Sequence, residues 1–322
     1  MRVYLTGGAG FIGRATVRRL ITHGGSVVAV VREPDRAAGL ADLGVEVVSG
    51  DLSSLEGMVG RMRGTDVVIH LAGSYRIGIA RSERPAMFDA NVGATKRVLD
   101  AAIAAGVPRI VHVSTVNVFG DTKGRIVDEG YRRDLHHGFV SYYDETKYLA
   151  HVAAVERMRA GAPIVIAMPA SVYGRGDHSG TGEQLQAAFE GTARYIALGD
   201  LGISPVHVDD VAAGIVAAAE VGRVGESYIL AGKNMRLRDA VEVAARAGGR
   251  RPPRLEIPAR LLRAMARLGP LGDALGSSAN LSEVVSAADG VTYWASSAKA
   301  SLKLGFAPRE IEAGMRDAFG GR

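Results

Sequence analysis

The stretch that most constrains the fold is Thr6-Gly7-Gly8-Ala9-Gly10-Phe11-Ile12-Gly13, which follows a short apolar run at residues 3–5. The apolar run predicts a buried strand. The glycines at 7, 10 and 13 are spaced so that the chain can turn tightly, bring its backbone near a pyrophosphate and pack a helix against that strand. A helix beginning here would direct free N–H groups and a partial positive charge at a phosphate. The stretch therefore predicts dinucleotide binding rather than an ordinary glycine-rich turn, with contacts from Thr6, Gly7, Gly10, Phe11, Ile12 and Gly13.

Apolar runs recur along the chain and alternate with helical segments. They predict strands at residues 26–31, 45–48, 67–71, 110–113 and 164–168, and helices at 53–63, 84–105 and 141–160. This order predicts βαβ units and a doubly wound parallel sheet, the α/β Rossmann fold. Residues 1–170 are expected to form the dinucleotide-binding domain. Residues 171–322 are expected to form mainly a smaller substrate-binding region, with some elements returning to the sheet.

Composition narrows the classes of function. The 322 residues include no cysteine, which excludes disulfides, thiolate catalysis and cysteine metal sites. The net charge of +5 comes mostly from scattered arginines, so nucleic-acid binding is not expected. No apolar run approaches the roughly 18 residues of a membrane span, and no signal segment precedes the first strand. We therefore expect a cytoplasmic protein without integral membrane contact.

One tyrosine and one lysine are spaced so that their side chains could act together in catalysis. Tyr143 and Lys147 lie four residues apart on a predicted helix, so both project from one face. Tyr142 has Thr146 at that spacing instead. A nearby ammonium favours the phenolate, so we expect Lys147 to lower the pKa of Tyr143 from about 10 toward neutrality. Such a pair is more often a surface contact, but Ser114 and Thr115 end the preceding strand at the edge where α/β sheets bind ligands.

In combination, these motifs resemble those of the extended short-chain dehydrogenase/reductase family. The matching motifs occur in order over nearly the whole chain: the glycine stretch, Asp51-Leu52, His70-Leu71-Ala72-Gly73, Asn91-Val92-Gly93-Ala94-Thr95, Ser114-Thr115 with Val118-Phe119-Gly120, and Tyr143 with Lys147.

The resemblance implies a catalytic triad of Thr115, Tyr143 and Lys147, with Thr115 identified by counting back from Phe119-Gly120. It implies that Asp51 contacts the adenine and that Lys147 also holds the nicotinamide ribose. The remaining cofactor contacts that it implies are Leu52, Leu71, Ala72, Gly73, Asn91, Ser114, Tyr143, Pro169, Ser171 and Val172.

Within the family, the chain is similar to the branch of dihydroflavonol reductase-like enzymes and the related hopanoid-associated epimerase-like proteins. The resemblance extends through Val31-Arg32-Glu33-Pro34, Val172-Tyr173-Gly174, Val206-His207-Val208-Asp209-Asp210 and the tail around Leu304-Gly305-Phe306. It favours a reductase of a small non-nucleotide carbonyl or alcohol. Specificity is expected to come from residues 76–84, residues 131–140 and the C-terminal region.

The alternative is a nucleotide-sugar epimerase or dehydratase with tightly bound NAD(P). Ser171 stands where those enzymes usually carry an asparagine near the substrate diphosphate. Residues 199–207 also lack the arginine that usually precedes their equivalent of Val206-His207-Val208. Arg175, Arg194 or the tail arginines could substitute. A non-catalytic sensor is a further alternative, but such relatives usually lack the tyrosine and lysine.

Cofactor preference depends on the end of the second strand. NAD-binding folds usually place an acid there for the ribose 2′-hydroxyl, and ungapped alignment puts that position on Val31. Arg32 follows directly and Arg36 lies about one turn on, so both could bind the 2′-phosphate of NADP. Glu33 is the alternative ribose ligand, although Pro34 favours a loop that turns it away. We expect NADP, with NAD possible.

Other patterns have simpler interpretations. The adjacent His136 and His137 are expected to be solvated loop residues, so no metal site is predicted. Asp209 and Asp210 are expected to cap the following helix or to lie in its first turn. The arginine-rich helix at residues 261–268 is expected to cover the substrate cleft rather than to lie on an anionic membrane surface. By resemblance, the chain is expected to form a homodimer through the helices at 84–105 and 141–160.

Overall fold

The computed structural model of the chain describes residues 1–33, 37, 39–267 and 281–321. Its strands are β1 (Arg2–Thr6), β2 (Ser26–Val31), β3 (Glu46–Ser49), β4 (Val67–His70), β5 (Ile110–Val113), β6 (Ile164–Pro169), β7 (Ser171–Tyr173), β8 (Tyr195–Ala197), β9 (Gly202–Ile203), β10 (Pro205–His207), β11 (Ser227–Leu230), β12 (Met235–Arg236) and β13 (Leu255–Ile257). The described helices are α1 (Phe11–Thr22), α2 (Leu55–Met62), α3 (Arg84–Phe88), α4 (Ala94–Ala104), α5 (Tyr142–Arg159), α6 (Gly180–Glu190), α7 (Val208–Glu220), α8 (Leu237–Ala247), α9 (Ala259–Arg267), α10 (Leu281–Ser286), α11 (Ala298–Leu304) and α12 (Ile311–Phe319).

The central sheet confirms the predicted doubly wound fold. Its seven strands are parallel, in the order β11-β6-β5-β4-β1-β2-β3. The chain leaves β1 toward β2 on one side and returns to β4 on the other, so a crevice opens beyond the carboxyl ends of β1 and β4. Such switch points are where open α/β sheets bind ligands.

Burial explains why these segments form strands and helices. Val3, Tyr4 and Leu5 are fully buried in β1, as expected for a parallel strand covered on both faces. Helices α1 and α7 pack together on one face of the sheet, and α2, α4 and α5 pack on the other. Full burial of each large apolar side chain contributes roughly 1.5–3 kcal/mol, which makes these two layers the main source of stability.

The helix predicted at residues 84–105 is confirmed as helical from Arg84 to Ala104, with one turn of a different type. A π-helical turn, Asp89–Gly93, separates α3 from α4. The turn contains Asn91, whose buried side chain bonds to two other parts of the chain rather than to solvent. Turns of this kind are frequent at functional sites.

Part of the chain beyond residue 170 has its own core. Helices α6, α8 and α12 bury Leu185, Val241 and Met315 in a cluster separate from the sheet core. Strand β11 instead joins the central sheet beside β6. The helix expected at residues 261–268 is observed as α9, and Leu268 lies outside the described residues. Within the described part of the chain, no helix combines the length and apolarity that crossing a bilayer requires.

Candidate active site

The glycine turn between β1 and α1 has the close contacts that its spacing predicts. Gly7 adopts a φ of +79°, and a Cβ there would lie 2.6 Å from the backbone nitrogen of Ala72. A Cβ on Gly13 would lie 2.0 Å from the carbonyl oxygen of Gly7. Only glycine therefore allows the loops after β1 and β4 and the start of α1 to pack this closely.

Gly10 has a different role from its neighbours. A Cβ there would approach only the Gly7 carbonyl oxygen, at 3.3 Å, so packing does not demand glycine. The residue is exposed and caps α1, and no described side chain caps this end of the helix. The first N–H groups of α1 are thus directed at the crevice, an arrangement suited to a pyrophosphate. This cradle fits the dinucleotide that the motif predicts.

The residues after β2 and β3 occupy the same edge of the sheet. Arg32 and Glu33 are both exposed directly after β2, whereas Arg36 lies outside the described residues. Asp51 accepts hydrogen bonds from the backbone nitrogen and hydroxyl of Ser53, at 3.1 and 2.5 Å, and these bonds lower the pKa of its carboxyl. The adjacent Leu52 carbonyl accepts from Arg97 on α4 at 2.6 Å, which fixes this loop.

Asn91 connects the wall after β4 to helix α5. Its Oδ1 accepts from the backbone nitrogen of Ser74 at 2.7 Å, and its Nδ2 donates to Thr146 Oγ1 at 2.9 Å. A Cβ on Gly73 would lie 3.8 Å from Lys147 Nζ. The Leu71-Ala72-Gly73 segment therefore lies between the glycine turn and the lysine predicted to be catalytic.

Helix α5 supplies both predicted reacting side chains. Ser141 caps it by accepting a hydrogen bond from the Asp144 backbone nitrogen at 3.1 Å. Tyr143 is only 7% exposed, and the ring of Tyr75 meets it edge-on with centroids 4.9 Å apart. Lys147 is half-buried one turn along.

The expected lowering of the Tyr143 pKa is wrong for this structure. Burial raises the pKa of Tyr143 well above its usual value, and the neighbouring Tyr75 and Asp144 add to the increase. Burial also lowers the pKa of Lys147 from 10.5 to about 8. Removal from water disfavours both the phenolate and the ammonium, and it is the largest cause of both shifts. At neutral pH the tyrosine therefore holds its proton.

The Lys147 pKa predicts a pH dependence of dinucleotide binding. The resemblance implies that Lys147 holds the nicotinamide ribose, and its ammonium is lost above about pH 8, so affinity for the dinucleotide should fall as pH rises through that value. Fluorescence titrations at several pH values would measure this step. In Lys147→Met the step should be absent, and its persistence would assign it to another group.

The contribution of Lys147 to folding stability changes with pH in the opposite direction to its contribution to dinucleotide affinity. Between about pH 8 and 10.5 the unfolded chain keeps the Lys147 proton that the folded chain has lost. Its contribution to the free energy of unfolding therefore increases with pH across that window.

The two hydroxyls after β5 make different contacts. Ser114 Oγ lies 3.0 Å from His151 Nδ1. Thr115 Oγ1 accepts from the backbone nitrogen of Asn117 at 3.2 Å and donates to Asn117 Oδ1 at 3.1 Å. Ser114 is thus hydrogen-bonded to α5, whereas Thr115 stabilises the turn that begins beside it. Both residues are buried at the carboxyl edge of the sheet.

Three histidines lie near Lys147, and sequence reasoning gave none of them a role, although it named His70 within a family motif. His70 is held by Thr6 at 2.7 Å and Thr95 at 3.0 Å, and it stacks on His112 with ring centroids 5.6 Å apart. Burial, assisted by Lys147, lowers the pKa of His70 to about 3 and that of His151 to about 4. Burial also lowers the pKa of His112 well below its usual value, so all three histidines are neutral at physiological pH. Histidines inside otherwise apolar strands are the signal that could have revealed His70 and His112.

The remaining predicted cofactor contacts follow β6. Pro169 ends that strand, and Ser171 and Val172 begin β7, which pairs with β10. Ser171 and Val172 are both half-buried.

The two adjacent loop histidines and the two aspartates at the start of α7 are the remaining residues singled out in the sequence. His137 Nε2 lies 2.8 Å from Lys123 Nζ, and both His136 and His137 are exposed. Asp209 and Asp210 lie in the first turn of α7, as expected, and the cap is His207. Asp210 binds the Arg309 guanidinium at 2.8 Å, so its charge is paired within the protein.

Comparison with known proteins gives concordant matches. The family model described as the NAD dependent epimerase/dehydratase family matches residues 3–231. A 4-hydroxy-2-methyl-3-oxo-4-farnesyl-3,4-dihydroquinoline-1-oxide ketoreductase from Stigmatella aurantiaca is 32% identical over 271 residues, 84% of this chain and 80% of the relative. A provisionally named dihydroflavonol 4-reductase from Synechocystis sp. is 30% identical over 327 residues, 98% and 92% of the two chains. The structure of a nucleoside-diphosphate-sugar epimerase from Pseudomonas aeruginosa has a TM-score of 0.79 at 26% identity, over 99% and 96% of the two chains.

Proposed function

The chain belongs to the NAD dependent epimerase/dehydratase family, and on this premise we propose that it is an NADP-dependent reductase of a small non-nucleotide carbonyl compound. Its class is that of the NAD(P)-dependent oxidoreductases, as its reductase relatives also indicate. A nucleotide-sugar epimerase or dehydratase is the second candidate, because a sugar epimerase is among the similar structures.

The reductase is preferred over the nucleotide-sugar epimerase because two arginines are already bonded to other groups of the protein. A nucleotide-sugar diphosphate needs cationic partners that form charge-assisted hydrogen bonds. Arg133 is 5% exposed at its side chain and binds Asp144 with two bonds of 2.7 Å. Arg175, a candidate substitute for the missing family arginine, donates to the backbone carbonyl of Gly321. These two guanidiniums are thus bonded within the protein and leave fewer cations for a diphosphate, which favours a substrate without one.

The proposed mechanism assigns a separate task to each triad residue. When bound, the nicotinamide supplies the hydride that is added to the carbonyl carbon. Tyr143 donates its phenolic proton to the carbonyl oxygen, so that the ketone becomes an alcohol. Thr115 hydrogen-bonds the same oxygen. The Lys147 ammonium holds the nicotinamide ribose and is the cation nearest in sequence to the phenol on this face of α5.

The raised pKa of Tyr143 supports the reductive direction. A general acid must hold its proton until charge develops on the substrate oxygen. Burial keeps the Tyr143 phenol protonated at neutral pH. The phenolate left after the reaction is then stabilised by the Lys147 ammonium and regains a proton from solvent.

Cofactor stoichiometry tests this function against the alternative. A reductase consumes one reduced nicotinamide for each turnover, whereas an epimerase returns the hydride to its substrate and consumes none. We expect ketone-dependent loss of NADPH absorbance with an equal amount of alcohol formed. Epimerisation of a nucleotide sugar without net oxidation of cofactor would establish the second candidate.

The NADP preference is proposed from Arg32. Its guanidinium is exposed directly after β2, where a 2′-phosphate would lie. Arg32→Ala should weaken NADPH binding by about 1–3 kcal/mol, the range for a hydrogen bond to a charged group, and leave NADH binding nearly unchanged. Titration of both cofactors against both proteins measures the difference.

A second arginine provides the control for that measurement. Arg254 is also exposed but precedes β13, outside the predicted cofactor contacts. Arg254→Ala should bind both cofactors like the wild type. Tighter binding of NADH than NADPH by the wild type, or an equal loss of both in Arg32→Ala, would assign the ribose contact to Glu33.

A homodimer through α4 and α5 is the proposed assembly. Arg157 and Asp100 join these helices at 2.7 Å, and Ile103 on α4 is 40% exposed. We expect a dimer at micromolar concentration in analytical ultracentrifugation, dissociated by Ile103→Glu. A monomeric wild-type protein would refute this assembly.

A further inference from the structure

Tyr143 belongs to a small apolar cluster that is distinct from the sheet core. Ile79 and Met87, each 4% exposed, pack with it, and Ile77 and Tyr142 lie against them. The loop after β4 contributes the two isoleucines, helix α3 contributes Met87, and Tyr142 lies on α5 beside Tyr143. The proposed proton donor is therefore surrounded on this side by hydrocarbon rather than by hydrogen-bonding groups.

Tyr75 extends this apolar surface to solvent. The residue is 57% exposed, although its ring meets that of Tyr143 edge-on at 4.9 Å. An exposed aromatic ring beside a reacting group provides a large apolar contact for a ligand.

Two arginines near this surface, Arg76 and Arg84, are each close to a carboxylate. Arg76 Nη1 lies 2.7 Å from Glu83 Oε1. Arg84 stacks over Tyr142 at 4.8 Å, and its Nη2 lies 4.0 Å from Glu283 Oε2 on α10. The carboxylate of Asp177 is near enough to Tyr75 to contribute to the raised pKa of its phenol. The same negative charge would repel an anionic substrate. The pairing of these arginines and the charge of Asp177 thus disfavour a phosphate or carboxylate next to the reacting carbon.

We propose that the carbonyl reduced at Tyr143 is attached to an apolar body, an alkyl chain or fused ring, that binds against Tyr75 and Ile77. Ile79 and Met87 support this surface from behind. The inference deepens the proposed function and rests on it, since it names the substrate class of the same site.

A homologous series of ketones tests this substrate class. Methyl ketones from butanone to 2-decanone present one carbonyl with a growing chain, and NADPH oxidation reports kcat/KM for each. Burial of one methylene corresponds to about a fourfold gain. We expect kcat/KM to rise by about that factor for each added methylene until the apolar surface is covered. The matching ω-carboxylated ketones should be poorer substrates at every length.

Tyr75→Ala separates substrate binding from general structure. Its removal should reduce the ratio of kcat/KM for 2-decanone to kcat/KM for butanone at least tenfold, roughly the loss of one or two buried methylenes. Tyr75→Phe should restore the dependence on chain length. Tyr195 on β8 is similarly exposed, at 49%, so Tyr195→Ala is the matched control and should retain the wild-type series.

The outcomes separate this inference from the function on which it rests. If butanone is reduced in a Tyr143-dependent reaction but kcat/KM does not rise with chain length, the reductase stands and the apolar substrate class is refuted. A preference for carboxylated ketones, or equal losses for all ketones in Tyr75→Ala, also refutes it. Turnover of nucleotide sugars alone would overturn both proposals.

Discussion

Replacing Tyr143 with phenylalanine should lower kcat by about 10²- to 10⁴-fold, the range expected for loss of general acid–base catalysis. The ring would still fill its place against Ile79 and Met87, so the fold should not change. Only the phenolic proton is lost, and burial keeps that proton on the oxygen at neutral pH. Dinucleotide binding should persist, because the glycine turn and Lys147 are unchanged. Steady-state kinetics and cofactor titration together measure both quantities.

Tyr142 offers a matched control on the same helix. Its hydroxyl donates to the Arg84 carbonyl at 3.3 Å, and its ring stacks beneath the Arg84 guanidinium. Tyr142→Phe removes one long hydrogen bond and keeps the stacked ring, so kcat should stay within about threefold of wild type, the equivalent of roughly 0.6 kcal/mol. Equal losses in both variants would show that the wrong tyrosine has been assigned as the proton donor.

The second large effect is expected at Gly7. Gly7→Ala places a methyl group 2.6 Å from the Ala72 backbone nitrogen and forces a φ of +79° on an L-residue. The backbone conformation costs about 1–2 kcal/mol, and overpacking adds about 1–3 kcal/mol. Relief of the clash must separate the loops after β1 and β4, so dinucleotide affinity should also fall. Denaturant unfolding and cofactor titration measure the two losses.

Gly24→Ala is a control that measures the cost of the positive φ without a steric clash. It has a φ of +72°, but a Cβ there would meet no described atom within 4 Å. Gly24→Ala should therefore lower the free energy of unfolding by only about 1–2 kcal/mol and leave cofactor affinity unchanged. If both alanine variants lose equal stability and both bind the dinucleotide normally, the close packing at Gly7 does not form the site.

Much of the fold was predictable because its signals are local. Unbroken apolar runs indicated strands buried on both faces, and alternation with helices indicated parallel pairing. The helix at residues 84–105 was predicted correctly except for the type of one turn. Its periodicity is helical throughout, but the hydrogen bonds from Asn91 to Ser74 and Thr146 accompany a π-helical turn that only contacts distant in sequence explain.

The candidate site was predictable in position but not in its electrostatics. Helical spacing placed Tyr143 and Lys147 on one face, and the end of β5 placed Ser114 and Thr115 at the ligand-binding edge. The direction of the Tyr143 pKa shift was wrong because the sequence showed the nearby cation and not the burial. A pKa depends on all surrounding groups and on exclusion of water, whatever their distance along the chain.

The sequence alone determined the parallel sheet, the phosphate-facing turn and the residue types available at its edge, because each depends on steric fit and periodicity within a few neighbouring residues. Only the tertiary structure decided which charges are free to act. It paired Arg133 with Asp144, set Tyr75 against Tyr143 and buried neutral histidines near Lys147. Those contacts join segments far apart in the chain, and the energy of a charge is set by its surroundings in space.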